Sequence, residues 1–210
     1  MRVGVDLDNT IVCYDDVFHR VAVEWGLIPA NVAVSKGAVR DYLRRQGRED
    51  TWIELQGYVY GNRFREAQPF PGVTEFFDRC QEQAIPVSII SHRTRYPFAG
   101  PRYDLHQAAY QWLETYGLAT DGPTGGTSVS VYLEPTKALK VERIGRENCS
   151  VFVDDLPEFL AEPTFPKEVE RILFDPSAKH SIDDFPFQLA TSWREIERLV
   201  LQPRPAALWI

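Results

Sequence analysis

Residues 3 to 11 read Val-Gly-Val-Asp-Leu-Asp-Asn-Thr-Ile, a short apolar strand that ends in two carboxylates one residue apart. Val3 and Val5 can be buried in a sheet while Asp6 and Asp8 emerge at its carboxyl end, the edge where open α/β sheets build ligand sites. Because side chains alternate along an extended chain, Asp6 and Asp8 start on the same face, within reach of one substrate. Carboxylates held that close both stay ionised only with a cation between them or with separated pKa values. The pattern therefore predicts a metal. It is not a calcium loop, since an EF-hand needs Gly at its sixth position and a bidentate Glu at its twelfth, and those places hold Ile11 and Val17. Read alone, the motif is equally a strand end with one capping and one turn Asp.

Three further elements follow in order, each just after a strand or at a helix start. Residues 85 to 90 form an apolar, mostly β-branched run that ends in Ser91-His92-Arg93-Thr94. Next comes Glu134-Pro135-Thr136-Lys137-Ala138-Leu139-Lys140, with Pro suited to a first helical turn. Then Ser150-Val151-Phe152-Val153 ends in Asp154-Asp155. Each has a plainer reading: Ser91 as a turn residue, the lysines as exposed helix residues, Asp154-Asp155 as a cap for the helix begun by Leu156. A second pair, Asp183-Asp184, lacks a preceding apolar strand and reads as solvated loop.

Taken together, the series resembles the haloacid dehalogenase (HAD) superfamily, with its Asp-x-Asp-x-Thr first motif, a second Ser or Thr, a third Lys and a fourth acidic pair. The resemblance covers the chain from residue 2 to about residue 160. It implies a magnesium-dependent phosphatase acting on a small phosphorylated metabolite. Asp6 would be the nucleophile that forms an aspartyl phosphate. Asp8 would protonate the leaving oxygen and then deprotonate water, a two-way role that needs a raised pKa. Phosphatases resembling this chain keep an Asp at that position, whereas dehalogenases and phosphonatases lack one.

By the same resemblance, Asp6, the backbone carbonyl of Asp8 and the Asp154 carboxylate bind the metal, with Asp155 in support. Magnesium is the expected ion, being hard, octahedral and content with carboxylates, water and phosphate oxygen. Ser91 would hydrogen-bond a phosphoryl oxygen. A lysine would neutralise charge beside Asp6, and Lys137, in the first turn after its strand, is preferred to Lys140, although both share a helix face. Thr10, His92 and Arg93 are the expected substrate-binding residues; solvated loop charges are the plainer reading of His92 and Arg93. Sugar phosphate and nucleotide are not ranked. A phosphotransferase, or a non-catalytic member that binds a phosphorylated ligand or a protein, remains the alternative.

The fold expected is a three-layer α/β/α Rossmann-like core with a mainly parallel sheet and right-handed crossovers. Residues 1–14 and 69–210 would form that core, and residues 15–68 a small helical cap inserted after the first strand. Within the insert, helices are predicted over 15–25, over 36–46 with Ser35 as N-cap, and over 51–60 with Asp50 as N-cap. Later helices are predicted over 73–83, 103–116 and 193–201, the last capped by Ser192, and strands over 129–133 and 171–174. The Pro-rich tail, 203–210, ends in Leu-Trp-Ile and suggests a docking segment or a disordered end.

Composition narrows the partners. A net charge of −7 argues against nucleic-acid backbone and anionic membrane. Three scattered cysteines, Cys13, Cys80 and Cys149, make no disulfide framework. With no signal peptide ahead of the first strand and no apolar run of spanning length, a cytoplasmic location is expected. Nothing in the sequence bears on oligomeric state.

Overall fold

The computed structural model describes residues 1–119 and 129–202; the tail expected over 203–210 lies outside them. In chain order the elements are β1 (Val3–Val5), β2 (Val12–Cys13), α1 (Asp15–Glu24), α2 (Lys36–Arg45), α3 (Glu49–Gly61), β3 (Gln68–Pro69), α4 (Val73–Glu82) and β4 (Val87–His92). There follow α5 (Leu105–Thr115), β5 (Val129–Glu134), α6 (Lys137–Arg146), β6 (Val151–Asp154), α7 (Pro157–Leu160), β7 (Glu170–Phe174), β8 (Gln188–Ala190) and α8 (Trp193–Leu201).

Six strands form a parallel sheet in the order β5-β4-β1-β6-β7-β8. The two-residue period of the strands distributes their apolar side chains between two cores. Val3, Val5, Ile89, Val151, Val153 and Ile172 belong to the larger one, with Phe76 of α4, Trp112 of α5 and Trp193 of α8. Ile90, Phe152 and Leu173 turn the other way, onto Val141 and Ile144 of α6 and Phe159 of α7. Helices cover both faces, giving the three-layer α/β/α arrangement expected.

Between β2 and β3 the chain leaves the core and returns. These two strands pair antiparallel, Val12 with Pro69 and Cys13 with Gln68, so departure and re-entry lie side by side. Within the excursion α1, α2 and α3 bury Val17, Phe18, Val39, Leu43, Trp52 and Leu55, and this apolar surface is continuous with the larger core. Helix α3 lies hard against the segment after β4. A Cβ on Gly57 would sit 2.7 Å from Pro97 Cβ and 2.8 Å from the Ala99 carbonyl oxygen, and one on Gly61 would collide with Tyr103. Only hydrogen fits at either place.

Several boundaries differ from those predicted. Ser35 and Ser192 cap α2 and α8 as expected, accepting from the amides of Ala38 and Glu195. Helix α3 begins at Glu49, with Arg48 in the cap position, so Asp50 sits inside the first turn, where its charge favours the helix dipole. Thr136, not Pro135, begins α6 by accepting from the Leu139 amide, and Asp104 caps α5. The strand expected over 85–90 is shifted to Val87–His92, so Ser91 and His92 belong to the strand itself. Asp183 and Asp184 lie in a short 3₁₀ helix capped by Ser181. Among the described residues no helix is long and apolar enough to cross a membrane.

Candidate active site

The sheet order reverses between β1 and β6, the point at which open α/β sheets leave a crevice beyond their carboxyl ends. Asp6 follows β1 there and Asp154 ends β6. Both are buried, at 5% and 0% exposure. Carboxylate oxygens of Asp6, Asp154 and Asp155 lie within 4.8 Å of one another. Such a cluster of hard oxygen donors suits a divalent cation of the magnesium or calcium kind.

One ammonium group holds the cluster together. Lys140 Nζ donates to Asp6 Oδ1 and to Asp154 Oδ2, both at 2.6 Å, and lies 4.1 Å from the centre of the Phe159 ring. Asp154 uses its other oxygen to accept from the Leu156 amide at 2.9 Å. Burial, aided by Asp154 and Asp8, pushes the Asp6 carboxyl up to about 7 against the pull of Lys140. Burial, aided by Asp154 and Asp6, raises Asp155 well above the ordinary range.

The lysine expected beside Asp6 is therefore misplaced by one turn. Lys137 is exposed and stands at the wall of the cavity, while Lys140, 3% exposed, makes the contacts. Helical side chains lean toward the helix N-terminus. Lys140 thus reaches back to the sheet edge, and Lys137, at the first helical position, stays exposed at the cavity wall.

Asp8 also departs from expectation. Arg93 Nη1 donates to both of its oxygens, at 2.6 and 2.8 Å, and the Tyr14 hydroxyl donates to Oδ1. Although burial opposes it, the Arg93 guanidinium, the Tyr14 hydrogen bond and Lys36 hold the Asp8 carboxyl below the ordinary range. The raised acid of the first motif is Asp6, and Asp8 is the lowered one. Arg93 is itself 4% exposed, donates from Nε to the Leu105 carbonyl at 3.1 Å, and lies over the rings of Tyr60 and Phe64.

Ser91, 1% exposed, and His92 border the same cavity of about 340 Å³. Thr10 does not. Asn9 takes a positive φ of 61° after Asp8, and Thr10 lies fully buried, its hydroxyl without a partner and its carbonyl accepting from Trp193 Nε1 at 3.0 Å. It has no surface toward a substrate.

Lys36 is a cavity residue that the sequence reading passed over. It opens α2, and its Nζ is 3.1 Å from Asn9 Oδ1 and 5.4 Å from the centre of the Tyr60 ring. Burial would lower this ammonium, but Tyr60, Asp155 and Asp8 raise it overall. A signal existed: it is a cation in a first helical turn that carries no acid, where the helix dipole favours an anion.

No protein-family model matches the sequence, and no curated protein is similar to it. Solved structures are. A predicted HAD hydrolase of Bacillus subtilis, YfnB, bound to magnesium, matches with a TM-score of 0.56 at 16% identity, over 96% of this chain and 99% of that one. A predicted phosphoglycolate phosphatase from Haemophilus somnus matches at 0.55 and 14% identity, over 94% and 96%. A dehalogenase with an intermediate complex matches at 0.56 and 13% identity, over 96% and 97%. Phosphatase and dehalogenase share this architecture, so it does not by itself choose the reaction. The chain has the fold of the HAD-superfamily hydrolases.

Proposed function

We propose that the protein is a magnesium-dependent phosphatase of the HAD type, hydrolysing a small phosphorylated metabolite through an aspartyl phosphate on Asp6. The observation that carries this reading is Lys140, whose ammonium bridges Asp6 and Asp154 at 2.6 Å each on the floor of an open cavity. A carboxylate fixed there, beside a cation and a second acidic residue, is equipped to attack phosphorus. Asp6, Asp154 and Asp155 would hold the metal, which supplies positive charge where the phosphoryl group gathers negative charge. Ser91 would donate to a phosphoryl oxygen. Residues 15–68 would serve as the cap, bringing Lys36 to the cavity.

Asp8 favours a phosphatase over a dehalogenase, because a halide leaves without needing a proton whereas an alkoxide does not. Arg93 and Tyr14 keep Asp8 ionised, the form that takes a proton from the attacking water. Protonating the leaving oxygen calls for the acid form of Asp8, which the lowered pKa disfavours at rest, so Asp8 would have to take up a proton with the substrate in place and recover it from the attacking water in the second step.

Hydrolysis of a panel of phosphomonoesters, with magnesium and then with a chelator, tests the reading. Turnover should require the metal, and quenched enzyme should carry a phosphoryl mass on Asp6. Asp6→Asn should abolish both. Turnover retained in that variant would refute the covalent route, and release of halide from a haloacid would redirect the assignment to a dehalogenase.

A further inference from the structure

Beyond its carboxylate floor, the cavity has a wall of a different character. Helix α3 presents Ile53, Gln56, Gly57 and Tyr60 to it, the i, i+3, i+4, i+7 spacing of one helix face. Pro97 and Phe98 adjoin that face. The close approach at Gly57 brings Pro97 against the helix, so the two sides form one continuous surface. Phe98, at its edge, is 86% exposed. An aromatic ring left that open beside an active-site cavity is available for stacking.

Most of the charged groups that line the cavity are already engaged, although Ser91, His92, Lys137 and Asp155 line it as well. Asp6 and Asp154 are held by Lys140, Asp8 by Arg93 and Tyr14, and Lys36 lies against Asn9 and Tyr60. On the α3 face, Gln56 is the neutral amide beside an isoleucine and a glycine. Along this wall, a bare sugar or polyol phosphate would set its hydroxyls against Ile53, Pro97 and Phe98, which return no hydrogen bond. A planar apolar ring would bury those surfaces and leave its edge for Gln56.

We infer that the substrate is a phosphomonoester whose leaving group carries an aromatic ring, seated against the surface made by Ile53 on α3 and Pro97–Phe98. The cavity of about 340 Å³ has the size of a site for such a molecule, since small-ligand pockets start near ~300 Å³. This inference rests on the phosphatase reading for the group transferred, and the ring is recognised apart from it. A nucleoside monophosphate and an aryl phosphate share the required chemistry.

Calorimetric titration of the Asp6→Asn protein, with magnesium present, separates the possibilities without turnover. Adenosine 5′-monophosphate and ribose 5-phosphate carry the same phosphoester and differ in the base, and phenyl phosphate places the ring next to the ester oxygen. The nucleotide or phenyl phosphate should bind at least roughly tenfold tighter than ribose 5-phosphate, the low end of stacking on an aromatic side chain. Phe98→Ala, added to that background, should collapse the ratio, and Phe98→Tyr should restore it. Preference for the nucleotide alone identifies a nucleoside source, and preference for phenyl phosphate alone an aryl one. Equal or tighter binding of ribose 5-phosphate overturns the inference, as does a ratio unmoved by Phe98→Ala. Ring-selective binding with no hydrolysis by the wild type would keep the inference and refute the phosphatase reading. Hydrolysis without ring selectivity would do the reverse.

Discussion

Lys137 and Lys140 stand three residues apart on one helix, and the contacts at the carboxylates belong to Lys140. Lys140→Ala should lower kcat/KM at least about a hundredfold, as loss of one preorganised electrostatic group does. Lys137→Ala should change it less than about threefold, since an exposed lysine loses little. Removing Lys140 also leaves two buried carboxylates without their cation, so Lys140→Gln, which keeps the packing, is compared at matched melting temperature. Initial rates for the three variants decide the matter, and a larger loss in Lys137→Ala would overturn it. Asp6 predicts a second effect, on stability. Below 3.8 folded and unfolded chains both carry its proton; between 3.8 and about 7 the unfolded chain has released it and the folded one has not. Stability of the metal-free protein should therefore fall as pH rises through that window, by up to about 4 kcal/mol. Asp8, lowered by Arg93, works on the acid side: its stabilising share is present above the ordinary carboxylate value and is lost as pH falls through the lowered one. Melting curves in chelator should show Asp6→Asn gaining on the wild type from pH 4 to pH 7, and a constant gap would contradict the buried acid. The carboxylates of this site were legible because strand alternation and chain order place them. Their partners were legible only in kind: a lysine beside Asp6 and Arg93 in the site were expected, but the choice of Lys140, 134 residues from Asp6, and the pairing of Arg93 with Asp8, 85 residues away, were not, since no local pattern encodes such contacts.

At the scale of elements, legibility followed length and periodicity. Helix α8 carries its apolar residues on one face behind a serine cap, and β4 is a six-residue run rich in β-branched side chains, so both announce themselves. Strand β8 has three residues and β2 and β3 have two each, β3 ending in Pro69. Nothing that short shows a period, and their identity comes from the neighbour they pair with. The seam between α3 and the segment after β4 was equally silent, because a glycine inside a helix reads as a weak position. Here it marks contact. Gly61→Ala should destabilise the protein by about 1–3 kcal/mol, the usual cost of forcing a methyl into a packed interface. Gly47→Ala, where a Cβ meets open space but φ is +67°, should cost about 1 kcal/mol from backbone strain alone. Chemical denaturation of the pair would show whether the seam outweighs the strain.

Across the whole molecule, the bond from Trp193 Nε1 to the Thr10 carbonyl joins α8 to the loop that follows Asp6 and Asp8, 183 residues earlier in the chain. Trp193→Phe keeps an aromatic ring but orphans that carbonyl, and should cost about 1–3 kcal/mol. Because the Thr10 loop carries Asp8, kcat should fall as well, which rates measured on folded protein would reveal. Trp112 makes a similar tie, from Nε1 to the Ala67 carbonyl at 2.8 Å, where the excursion rejoins the core.

The place of β1 in the sheet sets an order in time. It precedes the other five strands of its sheet in the chain, yet Val3 pairs with Val87 on one side and with Val151 on the other. A nascent chain must hold that apolar strand and its two acids unpaired until β4 has left the ribosome, and half-paired until β6 has followed. Pairings so distant in sequence make for slow folding and a long exposure to chaperones. Lys140 emerges shortly before Asp154, so the cation that pairs with Asp6 is already made when the second buried acid arrives.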